Sequence, residues 1–189
     1  FADLQTLACV SMPGNLAGQS LAPGVYCIDA AAKAGTLTLD GPSDGVWVFL
    51  DGGALTGTSF TVVMAGGGQP GNVFWAPVGA VTMTTSVFTG NILAGDATGG
   101  SITFTGGTLT GRALANVAVT MTGASVICCD SLLVAASPAP SALTSPGAGT
   151  GVAGAGQGPA PVDLLSAVNF VILSQSGITN TGSHSSAIT

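Results

Sequence analysis

An internal repeat of 21 residues is the feature that most narrows the folds open to this chain. The segment AVTMTTSVFTGNILAG (80–95) aligns with SITFTGGTLTGRALAN (101–116) with six identities in 16 positions, among them Thr82 with Thr103. A third, shorter copy, AVTMTG, begins at Ala118. About 20 residues holding several short strands is the length of one solenoid coil, and each such coil stacks its backbone on the next. The repeat therefore predicts a β-solenoid.

Short apolar runs bounded by Gly, Asp or Pro support this prediction. Examples are VWVFL (46–50), TVVM (61–64) and NVFW (72–75), each of strand length. The 30 glycines disfavour long helices, although FADLQTLA (1–8) resembles the last turns of one. We expect an all-β solenoid over residues from about 20 to 129. Its predicted core includes Val48, Val63, Phe74, Met83, Phe104 and Met121.

Threonines flank the inward residue of each repeat. Because side chains alternate along a strand, an inward Met83 or Phe104 places the threonines on either side of it outward. The tripeptides TLT (36–38) and TLT (108–110) have the same pattern. Stacked coils would array such pairs about 4.8 Å apart in one direction and about 7 Å in the other. Such a lattice of hydroxyls and methyls suits an ordered water surface such as ice, although Thr is also simply a favourable exposed strand residue. The candidate positions are Thr82, Thr84, Thr103, Thr105, Thr120 and Thr122.

Charge is scarce, and this excludes several classes of partner. Only 5% of residues are charged, and Lys33 and Arg112 are the two basic ones in a chain of net charge -6. Two cations cannot neutralise a run of phosphates, so we expect neither nucleic-acid nor anionic-lipid binding. No uninterrupted apolar run of about 18 residues is present, so membrane insertion is not expected. We expect an extracellular, secreted or cell-surface protein from which any secretion signal has been removed.

Composition divides the chain into three regions. Residues 1–136 are rich in β-branched and aromatic residues and form the predicted solenoid domain. Residues 137–161 consist mostly of Pro, Ala, Gly and Ser, which is typical of a linker. Residues 162–189 are strand-like again, and we expect this short segment to pack on its own solenoid or on a neighbouring one.

Nothing in the chain predicts catalysis, a cofactor or a metal site. The single histidine, His184, lies in a Ser/Thr-rich tail, and no nucleophile motif accompanies it. Asp40, Asp44 and Asp51 stand beside glycine or serine and are interpreted as turn residues, without the close alternating spacing of a calcium loop. The triple glycine 66–68 lacks the Lys-Ser/Thr of a phosphate loop. We therefore expect a protein that is not an enzyme.

Several segments together resemble the microbial ice-binding proteins. They are SLAPGVYCIDAA (20–31), GTLTLDG (35–41), VWVFL (46–50), NVFW (72–75), FTGNILA (88–94), TLTGRALA (108–115) and AVTMTGASV (118–126). The resemblance covers residues 1–129 and implies a right-handed β-solenoid flanked by one long α-helix. DLLSAVNFVILSQSGITNTG (163–182) resembles the start of that family, displaced here to the C-terminus. The chain would then lack most of the family's helix.

The same resemblance bears on the four cysteines. Cysteines in a secreted chain suggest disulfides, and resemblance to a subgroup of the family implies a bridge between Cys9 and Cys27. Cys128 and Cys129 are adjacent. One or both could be free, or could pair with another chain.

Two functions remain open on the sequence alone. One is a non-enzymatic ice-binding module that adsorbs to ice crystals through a flat Thr-rich face. The other is a structural subunit of an extracellular filament or adhesin, a head-to-tail homopolymer in which the C-terminal strand fills the next subunit. Interruption of the face by Asn91 or Arg112 would speak against ice. The candidate exchange residues are Val168, Phe170 and Ile172.

Overall fold

The computed structural model describes residues 4–95, 99–127, 158–160, 162, 164 and 170–182. Within them the opening segment forms a single 3₁₀ turn, Leu4–Thr6, and a second 3₁₀ turn spans Pro70–Asn72. The strands in chain order are β1 Val10–Met12, β2 Ser20–Leu21, β3 Gly24–Ile28, β4 Lys33–Asp40, β5 Trp47–Asp51, β6 Leu55–Ala65, β7 Val73–Pro77, β8 Val81–Thr89, β9 Asn91–Ala94, β10 Ile102–Thr110, β11 Ala113–Ala115, β12 Ala118–Thr122, β13 Ser125–Ile127, β14 Ile172–Ser174 and β15 Gly177–Thr181.

The chain alternates between two parallel sheets. One sheet has seven strands in the order β1-β3-β5-β7-β9-β11-β14. The other runs β15-β12-β10-β8-β6-β4-β2, and β13 pairs with the far half of β10. Each passage through both sheets closes one coil and stacks it on the last, because parallel neighbours need a crossover between them. The predicted β-solenoid is confirmed.

The 21-residue offset is the register between the coil that contains β8 and β9 and the coil that contains β10 and β11. Thr82 of β8 pairs with Thr103 of β10, and Leu93 of β9 pairs with Leu114 of β11. The same offset thus holds in both sheets. Equivalent side chains consequently form straight columns along the solenoid axis.

The long strands of the eight-stranded sheet bend midway. Ser59 in β6, Thr85 in β8 and Gly106 in β10 have φ of 50°, 46° and 67°, and Gly123 between β12 and β13 has φ of 61°. Residues before and after the bend therefore face different directions. The threonine face, as we call it, consists of the outward residues before the bend in β6, β8, β10 and β12, together with those of β15. The third face consists of the outward residues of β4 from Thr36 on, of β6, β8 and β10 after the bend, and of β13.

The interior is a continuous apolar core. The ring of Phe49 stacks on Trp75, with centroids 3.9 Å apart and planes 10° apart. Met83, Phe104 and Met121 point inward as predicted and are at most 1% exposed. Full burial of side chains of this size stabilises the fold by about 1.5–3 kcal/mol each.

Of the three remaining predicted core residues, one is exposed and two are buried. The prediction for Val63 is wrong: it pairs with Thr38, points outward and is 38% exposed, because Val62 is the inward member of the pair. Val48 and Phe74 are buried, but on the outer side of the seven-stranded sheet. There they form a second cluster with Val46, Leu50 and Ala76, packed against Leu4, Cys9, Val25, Cys27, Leu93, Val162 and Leu164.

The C-terminal segment adds one more coil to its own solenoid. Strand β14 pairs with β11, and β15 pairs with β12. Of the proposed exchange residues, Ile172 packs against the core, Phe170 is exposed, and Val168 lies outside the described residues. Most of the predicted linker, Cys128, Cys129 and His184 also lie outside them.

Candidate functional site

The threonine face carries two straight columns of threonine. Each of five neighbouring strands contributes two outward threonines, and the strand register places each of them beside the equivalent threonine of the next strand. These strands are β6, β8, β10, β12 and β15. The first column is Thr56, Thr82, Thr103, Thr120 and Thr179. The second column is Thr58, Thr84, Thr105, Thr122 and Thr181.

The columns follow from strand alternation over a buried anchor. In β8, β10 and β12 the middle residue of the Thr-x-Thr tripeptide is large, apolar and buried, as with Phe104 between Thr103 and Thr105. Along a column the spacing is that of neighbouring strands, about 4.8 Å, and across a pair it is about 7 Å. The result is a regular two-dimensional array of hydroxyl and methyl groups.

The six threonines predicted from the sequence all belong to this array. Four further members were missed: Thr56, Thr58, Thr179 and Thr181. Their middle residues are Gly57 and Asn180, whereas the predicted pattern has a large apolar residue at that position. The tripeptide Thr-x-Thr followed by Ser, Thr or Gly recurs in all these strands and would have identified them.

The two TLT tripeptides of the sequence analysis belong to a different surface. Both lie after the bend, on the third face, as does Thr61, which pairs with Thr36. Their columns are interrupted by Val63, Val87 and Ile127, which are 38%, 47% and 45% exposed.

The basic side chain nearest the start of the threonine face is buried. Lys33 pairs with Gly57 of the first threonine strand, yet its side chain is fully buried. Its ammonium donates hydrogen bonds to the Gly14 carbonyl at 2.7 Å and to the Asp29 carboxylate at 3.0 Å. The hydrogen bond from Lys33 lowers the pKa of Asp29. The outward neighbours of Lys33 in the chain are Ala32 and Ala34, so no charge enters the array from this side.

Asn91 and Arg112, the residues considered as possible interruptions, lie in and beside the other sheet. Asn91 is buried in β9 and donates hydrogen bonds to the carbonyls of Gly71 and Val73 at 2.9 and 3.2 Å. Arg112 donates to the Asn91 side-chain oxygen at 3.2 Å. Neither residue interrupts the threonine columns.

Two features away from the face bear on stability. Cys9 and Cys27 form a disulfide with Cα atoms 5.4 Å apart, as the resemblance implied, and it ties the N-terminal segment to β3. Asp51 ends β5 as a turn residue whose Oδ1 accepts a hydrogen bond from the Gly53 amide at 2.9 Å. Its Oδ2 is buried and accepts no hydrogen bond from the described residues, and desolvation raises the pKa of this carboxyl.

Other site types find no support within the described residues. They contain no group of three or more His, Cys, Asp or Glu side chains placed to hold a metal ion. The same part of the chain has no helix that is long and apolar enough to cross a membrane.

Comparison with known proteins identifies relatives of one kind. The ice-binding protein of Flavobacterium frigoris (strain PS1) is 40% identical over 84 residues, which are 43% of this chain and 30% of that protein. Ice-binding protein K3-B1 of Typhula ishikariensis is 35% identical over 84 residues, 43% of this chain and 35% of that protein. This chain therefore spans about a third of the length of these curated relatives.

The solved structures that resemble this chain are also ice-binding proteins. An ice-binding protein from the Antarctic ascomycete Antarctomyces psychrotrophicus superposes with a TM-score of 0.59 at 32% identity, over 68% of this chain and 64% of that one. One from an Antarctic bacterium of the Flavobacteriaceae superposes with a TM-score of 0.60 at 33% identity, over 65% of this chain and 30% of that one. The model of the ice-binding-like family matches residues 2–127, and the chain therefore belongs to this family.

Proposed function

We propose that the chain is a non-enzymatic, extracellular ice-binding module that adsorbs to ice crystals through the threonine face. The observation that carries the proposal is the array itself. Two outward threonines from each of five neighbouring strands share one register. The names of the relatives, which are ice-binding proteins, point to the same ligand.

The chemistry of threonine suits a solid made of water. Each hydroxyl is one donor and two acceptors, so it can take the place of a water molecule in a hydrogen-bonded network. Each methyl group beside it gains by leaving liquid water. Single contacts of this kind are weak, but a rigid array makes many of them at once without losing conformational entropy on binding.

The absence of charge from the face supports the same conclusion. An ionised side chain holds a strong hydration shell, which adsorption to a crystal would have to remove. The buried Lys33 keeps the one cation close to the array inside the protein. Localisation outside the cell fits the Cys9–Cys27 disulfide, because such bonds persist in oxidising compartments.

Nothing in the described residues favours the alternative function, a subunit of a filament or adhesin. The strands proposed for exchange between subunits, β14 and β15, pair with β11 and β12 of the same chain.

The test compares one substitution on each side of the bend in β10. Thr103→Arg places a bulky charge in the middle of the threonine face, and we expect it to abolish thermal hysteresis and inhibition of ice recrystallisation. Thr108→Arg, the matched control, changes a threonine of the same strand that is likewise partly buried but lies on the third face, and it should leave both activities unchanged. Both variants should unfold within about 0.5 kcal/mol of the unsubstituted chain. An inactive parent chain, or a Thr103→Arg variant with full activity, would refute the proposal.

A further inference from the structure

Two side chains at the bend have a backbone conformation that their residue type avoids. Ser59 and Thr85 have φ of 50° and 46°. This left-handed region is unfavourable for L-residues, and for a β-branched residue such as Thr85 it is a genuine outlier. Conformational strain of this kind persists where the surrounding structure enforces it, and it is concentrated at functional sites.

The other coils show that the bend itself needs no side chain. In β6, β8 and β10, and between β12 and β13, the residue that follows the second threonine of the tripeptide occupies the bend. It is Gly106 after Thr105 and Gly123 after Thr122, with φ of 67° and 61°. Glycine adopts this conformation without strain. The fold alone therefore does not account for Ser59 and Thr85.

Steric crowding does not account for the difference between the coils either. A Cβ atom added at Gly106 would meet nothing closer than 3.6 Å, and one added at Gly123 would meet nothing within 4 Å. Side chains would fit at all four positions. Two coils carry a hydroxyl there, and two carry none.

The hydroxyls of Ser59 and Thr85 lie beside the threonine columns and are held in place. Both residues are exposed, and each directly follows a threonine of the second column. Their hydroxyl oxygens are 3.2 Å apart and share a hydrogen bond. One of the two hydroxyls donates in that bond, and both oxygens keep a lone pair for water.

We infer that Ser59 and Thr85 form a third, short column of ice-contacting hydroxyls along the edge of the threonine face, an inference that rests on the proposed function. In the two coils that carry them, the bend is strained, and the array of hydroxyls is wider by one residue. The coils with Gly106 and Gly123 have a relaxed bend and a narrower array.

The first experiment removes the column with the double variant Ser59→Gly/Thr85→Gly. Loss of the strain should lower the equilibrium constant of urea unfolding by about fivefold or more. Loss of both hydroxyl contacts and of the Thr85 methyl contact should raise the concentration needed to inhibit ice recrystallisation by about fourfold or more. Stability and activity should thus change in opposite directions.

The second experiment extends the column with Gly106→Ser/Gly123→Ser. This variant should unfold more readily and inhibit recrystallisation at a lower concentration than the parent chain. Gly18→Ser is the control for strain alone. Gly18 has φ of 74° and open space around a Cβ, but it lies outside the threonine strands. It should lose stability without a change in activity.

The outcomes separate this inference from the proposed function. A parent chain without ice activity overturns both. An active parent whose double glycine variant is equally active overturns the third column alone. A double glycine variant that is less stable than the parent shows that the shared hydrogen bond outweighs the strain, and it also overturns the inference.

Discussion

The threonine face and the third face are built by the same strands, yet they present different surfaces. Strands β6, β8 and β10 contribute to both faces, one on each side of the bend, with one register and one spacing. Before the bend the outward residues of these strands are threonine. After it, threonine alternates with Val63 and Val87. The solenoid therefore supplies the spacing, while the uniformity of the array depends entirely on which residues occupy it.

The largest effect should come from the core that both faces share. Phe104→Ala removes the anchor between Thr103 and Thr105, and Leu109→Ala removes the equivalent anchor beneath the third face. Both residues are fully buried. The free energy of unfolding should fall by about 3–5 kcal/mol for Phe104→Ala and about 2–5 kcal/mol for Leu109→Ala, as measured by urea denaturation.

These two variants also separate the faces functionally. At temperatures where both remain folded, Phe104→Ala should weaken ice activity more, because its cavity lies directly under the array. Equal losses of activity would mean that the two faces contribute alike.

The next effect should come from the disulfide, which lies on neither face. Reduction of the Cys9–Cys27 bridge should lower the free energy of unfolding by about 3 kcal/mol in the chain-entropy model. Denaturation with and without reductant measures this difference. The variant Cys9→Ser should lose this part of the response to reductant. Because the bridge touches neither face, ice activity at low temperature should survive reduction. Its loss would show that the face depends on the N-terminal segment.

A smaller effect is expected from a substitution that tests whether the two faces differ in ice activity only because of the residues they carry. The triple substitution Val63→Thr/Val87→Thr/Ile127→Thr makes the third face a nearly continuous array of Thr and Ser. Each exposed substitution should alter stability by no more than about 0.5 kcal/mol. Introduced into the inactive Thr103→Arg background, the triple substitution should restore part of the recrystallisation inhibition. No recovery at all would assign the difference to backbone shape instead.

The smallest effect should be the pH dependence of the free energy of unfolding, which concerns the whole fold and therefore both faces. Burial raises the pKa of Asp51, so its folded form favours the neutral carboxyl. Its contribution to stability is then complete below the ordinary value of 3.8 and is lost as the pH rises through the raised pKa. Asp29 has the opposite sign, because its lowered pKa removes stability as the pH falls below 3.8.

Asp51→Asn removes the contribution of Asp51 to the pH dependence of stability and leaves that of Asp29. Thermal unfolding between about pH 4 and 7 should show a decline for the parent chain and a flatter profile for the variant. Identical profiles would mean that the buried carboxyl is ionised in the folded chain without penalty. When thermal unfolding is followed further, below pH 3.8, the stability of both proteins should decline, since Asp29 is unchanged.

The repeat allowed much of the fold to be predicted, because one offset determines many contacts. The alignment of Thr82 with Thr103 is the strand register itself, and the inward direction of Met83 and Phe104 followed from it. Val63 was assigned wrongly because two adjacent valines leave the phase of alternation open. In that situation only the neighbouring strand decides which side chain points inward.

The limits of the predicted face have a similar cause. Thr56 and Thr58 flank Gly57, whose lack of a side chain hides the inward position. A Cβ there would lie 2.6 Å from the sulfur of Met83, so the interior next to it is already filled by the neighbouring coil. The bend was not predicted because Ser59 and Thr85 are not residues that favour positive φ.

Because β15 lies at the edge of its sheet, the number of ordered threonines on the threonine face depends on how often this strand detaches. Among the described strands, β15 pairs with β12 alone, and each of its five residues is exposed. In a linear stack the end unit has one interface instead of two and therefore opens at a lower free energy than the units in the middle. Thr179 and Thr181 should accordingly exchange their amide hydrogens fastest among the ten threonines of the array. When the end coil opens, the area of ice that one molecule contacts should decrease by the row formed by Thr179 and Thr181.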